Sequence, residues 1–110
     1  MNPVIDSYGT KRWYNNNGNL HREDGPAIEY GDGTKSWYIN GEIHRKDGPA
    51  IEFSDGSNEW YRHGKRHRDD GPAVEYSFGS KGWYFNGENV SFNKYLTVCK
   101  DPVMIYLKYA

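Results

Sequence analysis

Four Trp-Tyr pairs recur along the chain, at Trp13-Tyr14, Trp37-Tyr38, Trp60-Tyr61 and Trp83-Tyr84, with the tryptophans 24, 23 and 23 residues apart. Self-similarity at this period restricts the chain to a stack of like units, because one unit of this length cannot bury its apolar face alone. The units read GTKRWYNNNGNLHREDGPAIEY, GTKSWYINGEIHRKDGPAIEF, GSNEWYRHGKRHRDDGPAVEY and GSKGWYFNGENVSF. Their shared pattern is G-x-x-x-W-Y-x-N-G-x-x-H-R-x-D-G-P-A-[IV]-E-[YF]. The first unit is longer by one asparagine within Asn15-Asn16-Asn17, where a turn or bulge can absorb an insertion. Pro3-Val4-Ile5-Asp6 resembles Pro26-Ala27-Ile28-Glu29, so the chain opens on the second half of a unit. The expected organisation is one domain: a half unit at residues 1–8, units at 9–32, 33–55, 56–78 and 79–90, and a segment outside the pattern at 91–110.

Each unit holds two short β-prone segments, such as Thr34 to Ile39 and Pro49 to Phe53, separated by the turn formers Asn40-Gly41 and Asp47-Gly48. This predicts antiparallel hairpins in series, with glycine supplying positive φ at both turns and proline opening the return strand. Alternation then sorts the faces. One face is expected to carry Trp37, Ile39, Ile51 and Phe53 as the core, the other to display Tyr38, Ala50 and Glu52. Only 35% of residues are hydrophobic but 16% are aromatic, so tryptophan and tyrosine must supply most of the buried area. The pattern breaks after Gly87. Phe92, Tyr95, Leu96 and Cys99 fall at helical spacing behind Ser91, and Val103, Tyr106, Leu107 and Ala110 do so behind Asp101-Pro102. Two short helices are expected, their apolar faces capping the open end of a mostly β, elongated hairpin sheet.

The string W-Y-x-N-G-x-x-H-R-x-D-G-P-A resembles MORN-type repeats (membrane occupation and recognition nexus), especially the divergent bacterial antitoxin-like branch, and is similar to repeat proteins of bacteriophages and giant viruses. The resemblance covers roughly residues 3–87. It implies an elongated antiparallel sheet that serves as a scaffold for protein contacts, with lipid association in some members. This chain departs from the MORN pattern in its single turn glycine after Trp-Tyr and its lack of G-x-G spacing. A viral source would favour a host-directed role, that of an accessory protein docking on and inhibiting a defence factor.

The formal net charge of -1 provides no general field for attracting nucleic acid or an acidic membrane. Cys99 is the sole cysteine, which excludes an internal disulfide and a four-thiolate zinc site and fits a reducing compartment. With neither a leader pattern at the start nor a segment long enough to span a bilayer, a cytoplasmic protein is expected. His21 with Asp24, His44 with Asp47 and His67 with Asp70 invite a metal or acid–base reading. The structural reading is stronger: the aspartate would accept turn amides, and the histidine would hydrogen-bond the next unit. On that reading Asp47→Ala costs more than His44→Ala. Catalysis needs an asymmetric set of groups, whereas repeated units supply repeated environments. No enzyme activity and no metal or other cofactor is expected.

The basic run Arg62-His63-Gly64-Lys65-Arg66-His67-Arg68 lies beside Trp60 and Tyr61 and could neutralise a nucleic-acid backbone, but Asp69 and Asp70 follow at once, which favours a solvated turn. The residues singled out for a partner surface are Tyr14, Tyr38, Tyr61 and Tyr84, with Arg22, Arg45, Arg62, Arg66 and Arg68, because tyrosine and arginine are frequent interface anchors. The partner expected is another protein. A lipid-associated scaffold and a nucleic-acid binder are the alternatives, and self-association through a sheet edge or face is a further expectation.

Overall fold

A computed structural model describes residues 2–110. In chain order its elements are β1 (Val4–Ile5), β2 (Lys11–Arg12), β3 (Ile28–Glu29), β4 (Lys35–Ser36), β5 (Tyr38–Ile39), β6 (Glu42–Ile43), β7 (Ile51–Glu52), β8 (Asn58–Glu59), β9 (Tyr61–Arg62), β10 (Lys65–Arg66), β11 (Val74–Glu75), β12 (Lys81–Phe85), β13 (Glu88–Val90), α1 (Phe92–Val98) and α2 (Pro102–Tyr109). An antiparallel sheet of nine strands runs in the order β1-β2-β3-β4-β7-β8-β11-β12-β13, and β5–β6 and β9–β10 form two separate hairpins. The molecule is elongated, 45 × 29 × 20 Å. No helix among the described residues is long and apolar enough to cross a membrane.

The strands are short because the chain changes sheets at the tryptophan. The segment expected to be one strand, Thr34 to Ile39, divides into β4 in the long sheet and β5 in a hairpin. Trp37 sits between them: its N–H donates to the Ala50 carbonyl at 2.8 Å, and its own carbonyl accepts from the His44 N–H at 3.0 Å. Trp13 with Ala27 and His21, and Trp60 with Ala73 and His67, repeat the arrangement. The β5–β6 turn puts Asn40 at φ 50° and Gly41 at φ 82°, the two successive left-handed residues of a type I′ hairpin. In the first unit the extra residue is absorbed by Asn15, whose Oδ1 accepts the N–H groups of Asn17 and Asn19.

Register corrects the expected faces. Ser36 pairs with both Ile28 and Ile51, and Val74 with both Glu59 and Gly82. One more step along the β4–β7 ladder sets Trp37 opposite Ala50, so tryptophan shares its face with alanine and glutamate rather than with Ile51 and Phe53. Ala50, expected on display, is fully buried, as are its equivalents Ala27 and Ala73, and Phe53 is exposed. On the opposite face Ile28 and Val74 are buried, alongside the tyrosines, for the Tyr61 hydroxyl bonds Glu59 and the Tyr84 ring lies beside Gly82. The N-terminal alignment moves by one residue for the same reason. Val4 pairs with Arg12, which pairs with Ile28, so Val4 takes the place of Ile28 and Ile5 that of Glu29. Both are exposed on the edge strand.

Two rows of side-chain-to-backbone bonds join successive units. The Nδ1 atoms of His21, His44 and His67 accept the N–H groups of Asn40, His63 and Asn86 at 3.0, 2.9 and 2.9 Å. At the other turns the hydroxyls of Thr10, Thr34 and Ser57 accept the N–H groups of Gly31, Ser54 and Ser77. These hydroxyl residues are buried, where an unpaired polar group would be costly.

Both helices form where expected, with the Ser91 and Asp101 side chains accepting the N–H groups of Lys94 and Met104, and Pro102 in the first turn of α2. Their packing centres on Trp83, whose ring lies 4.9, 4.8 and 5.3 Å from those of Phe92, Tyr95 and Tyr109. In α2 the inward residue is Ile105, not the expected stripe: Val103 and Leu107 are 68% and 79% exposed, and Tyr106 also faces outward. Asp101 and Pro102 set the helix start, but the aromatic seat around Trp83 sets its rotation, taking Ile105 and Tyr109 at i, i+4 spacing. Tyr95 is fully buried, and its hydroxyl donates to the Arg68 carbonyl and accepts from the Gly71 N–H. Burial pushes its phenol up to about 12. Tyr95→Ala should cost about 3–5 kcal/mol in urea denaturation, the range for a buried aromatic. A loss below about 1 kcal/mol would show that the helical pair does not anchor the last unit.

Candidate functional site

The H-R-x-D-G-P-A-[IV]-E string builds one device three times. Arg22, Arg45 and Arg68 lie flat over Trp13, Trp37 and Trp60, with guanidinium carbons 3.9, 3.8 and 3.8 Å from the ring centroids. In each, Nη1 donates to a proline carbonyl four residues on, Pro26, Pro49 or Pro72. The same nitrogen meets Glu29, Glu52 or Glu75 at 3.3, 3.0 and 3.5 Å. The Nε atoms face Asp24, Asp47 and Asp70 at 3.2, 3.5 and 2.9 Å. A guanidinium suits this site because its plane stacks on an indole while its edge donates in several directions.

The Asp-Gly step therefore has a different role from the one expected. Gly25, Gly48 and Gly71 do not adopt positive φ. A Cβ on each would lie 3.0, 2.9 or 2.8 Å from the guanidinium carbon of Arg22, Arg45 or Arg68, so glycine is required by close approach. Asp47 accepts no turn amide and leaves 89% of its side chain exposed. The amide acceptors are Asp6, Asp32 and Asp55, which bond the N–H groups of Thr10, Thr34 and Ser57 in the other turns, and those bonds hold all three carboxyls below the usual range, with Arg12 the larger cause at Asp6. The relative costs of Asp47→Ala and His44→Ala are thus reversed from expectation, since His44 carries an inter-unit bond and Asp47 does not.

All basic residues of the run but Lys65 meet carboxylates within the fold. Arg62 donates to Asp69 at 2.7 Å, and His67 Nε2 faces the other oxygen of the same carboxylate at 2.7 Å. The Arg62 bond, reinforced by His67, holds the Asp69 carboxyl at about 2. This pair stabilises the fold at neutral pH, and its contribution is lost as the pH falls from the ordinary aspartate range toward 2. Arg66 reaches the Tyr61 hydroxyl at 3.1 Å, the Tyr84 hydroxyl at 3.2 Å and Glu59 at 3.3 Å. Burial, and then the Glu59 carboxylate, raise the Tyr61 phenol.

Of the residues selected from sequence, Arg22, Arg45 and Arg68 lie in the clamps and Arg62 in the Asp69 pair, while Tyr14, Tyr38, Tyr61 and Tyr84 are half-buried on the opposite face with Arg66. That face carries a second aromatic row that sequence reasoning missed: Tyr30, Phe53 and Tyr76, all exposed, with Phe78 stacked on Tyr76 at 5.2 Å and 14°. A signal for it exists in the sequence. Phe78 stands where two other turns have Asp32 and Asp55 and the first has Tyr8; the first turn keeps an amide acceptor in Asp6, whereas the Phe78 turn carries an aromatic ring that is 77% exposed and no such aspartate. No protein-family model, curated protein or solved structure matches the chain.

Replacing Arg45 tests the clamp against the motif aspartate. Arg45→Ala should lower stability by about 2–3 kcal/mol in urea denaturation, with Arg45→Lys recovering less than half, while Asp47→Ala should stay within about 0.5 kcal/mol of the parent. Equal losses for Arg45→Ala and Asp47→Ala would sink the assignment.

Proposed function

We propose that this protein is a non-catalytic binding module that docks another protein on the tyrosine face of its sheet. The observation that carries the reading is Phe78: an exposed aromatic at a turn position where an aspartate would hold the backbone better. A residue that sacrifices local order and buries little of itself is accounted for by something outside the chain. It adjoins Tyr76 and the rows of Phe53, Tyr30 and the half-buried tyrosines, which combine rigid apolar area with phenol hydroxyls, the composition of interface anchors. The opposite face is committed to the clamps, and the motif histidines accept backbone N–H groups of the following unit, which supports a binding rather than a catalytic role. Similarity of the repeat string to phage and giant-virus proteins supports a host factor as the partner, bound stoichiometrically and inhibited.

The test is Phe78→Asp, which restores the turn acceptor while removing the ring. Its melting temperature should equal or exceed that of the parent, and its affinity for the protein captured by the parent chain from host extract should fall at least about tenfold by calorimetry. Unchanged affinity would remove this face as the docking surface. Flotation of the parent chain with anionic liposomes in the absence of any protein would replace the reading with a lipid-associated one.

A further inference from the structure

The three histidine seams share one geometry and differ in what faces the ring. A backbone N–H can only donate, so each imidazole must present a bare Nδ1 and carry its proton on Nε2. Charging the ring puts a second proton on Nδ1, directly against the N–H it accepts, and the seam bond is lost. At the first and third seams the N–H belongs to Asn40 and Asn86, which are uncharged, and the Nε2 atoms of His21 and His67 face Glu23 at 3.5 Å and Asp69 at 2.7 Å. The middle seam differs twice. Lys46 occupies the position of Glu23 and Asp69, and His63 occupies the position of Asn40 and Asn86.

His44 and His63 consequently stack across the middle seam, ring centroids 4.2 Å apart and 24° from parallel. The charged groups around His44 are, on its own side, Glu42, Arg45 and Lys46, and across the seam Arg62 and His63. Over a cleft of about 650 Å³ lie Arg22, Glu23 and Asp24 of the preceding unit. Arg45 is held by Glu52 and Arg22 by Glu29 and Asp24, Arg62 by Asp69, and Glu42 is 3.6 Å from His63 Nδ1. Across the seam Glu42 lies beside His63, whereas His44 faces the His63 ring and Arg62, neighbours that disfavour a charge on His44.

We propose that the middle seam, between the β5–β6 and β9–β10 hairpins, is an acid-operated joint: protonation of His44 at Nδ1, against the His63 N–H it accepts, opens it while the long sheet beneath stays paired. A charge on His44 would lose the bond across the seam and face the stacked His63 ring and Arg62, with no carboxylate at its Nε2 of the kind that Glu23 and Asp69 supply to His21 and His67, so it favours separation of the hairpins. Burial, followed by the neighbouring His63 and Arg62, depresses the His44 pKa. A depressed histidine keeps the seam closed above the ordinary imidazole range and releases it as the pH falls below that range. Opening would free the Gly64 N–H, now bonded to the Ile43 carbonyl at 2.8 Å, and the Arg45 N–H, bonded to the Tyr61 carbonyl at 3.3 Å. The long sheet retains its own bonds between β7 and β8, which include no titrating side chain of the seam. The joint is independent of the docking reading.

Three glycine amides supply matched probes, since Gly41, Gly64 and Gly87 each donate to the preceding unit, to Leu20, Ile43 and Arg66, at 2.8 Å. Amide hydrogen exchange on the full chain, corrected for intrinsic rates, should be compared at about pH 7.5 and about pH 5, either side of the imidazole range. Protection at Gly64 should fall about threefold to tenfold more than at Gly41 and Gly87, the equivalent of one hydrogen bond, with Trp37 and Trp60 amides unaffected. His63→Asn, which restores the residue found in the neighbouring turns, should reduce the Gly64 loss to that of the other two. Equal losses at all three glycines in the parent chain, a Gly64 loss that survives His63→Asn, or simultaneous loss at the tryptophan amides would each overturn the joint.

Discussion

An arginine laid flat on a tryptophan is the contact on which the rest of this molecule depends. Most domains cover a sheet with a second layer, but here the nine-stranded sheet is accompanied only by two two-stranded hairpins and two short helices, so its own side chains must cover much of both faces. Tryptophan supplies the apolar area on one face, and arginine seals it with a flat, multiply donating lid. The surrounding motif residues then follow. Glycine leaves room for the guanidinium, the proline carbonyl and the glutamate take its Nη1 protons, and alanine fits fully buried opposite the indole. A nine-residue string that looks like a charged turn is the specification of a lid.

The ends of the stack follow the same logic with different residues. Unit four has no arginine at the corresponding place, and the helical pair brings Phe92, Tyr95 and Tyr109 to Trp83 instead. In the first unit the turn's N–H groups go to no histidine: Asn15 accepts those of Asn17 and Asn19 with its own side chain. The added asparagine is thus a cap in the sense of a helix N-cap, local satisfaction of turn amides. Units between the ends need no such device, since histidine on one side and a hydroxyl on the other receive the amides of the unit that follows.

This division of labour separates the two faces in what their side chains contact. The clamp face spends its cations, carboxylates and indoles on internal contacts. The tyrosine face retains exposed aromatic rings, among them Phe78, whose one aromatic contact is its stack on the equally exposed Tyr76. The histidine at residue 63, where the neighbouring turns have asparagine, is a second departure from the repeat, with a chemical consequence of its own.

The period of the Trp-Tyr pairs determined that the chain is a series of β-hairpins, because no other short unit reconciles that spacing with Asn-Gly turns and so little aliphatic residue. Ser91 and Asp101-Pro102 likewise determined where the helices begin, since capping is a local property of the backbone. The faces were decided only in three dimensions. Alternation counts residues along one strand, but the chain crosses between sheets at each tryptophan, and cross-strand register, not sequence parity, sets which side chains meet. The same holds for Arg22, Arg45 and Arg68, which as a sequence pattern are turn cations open to solvent. That each lies on an indole nine or eight positions before it, as Arg22 on Trp13 and Arg45 on Trp37, depends on a hairpin returning the chain to its own tryptophan, a long-range contact that no local preference encodes.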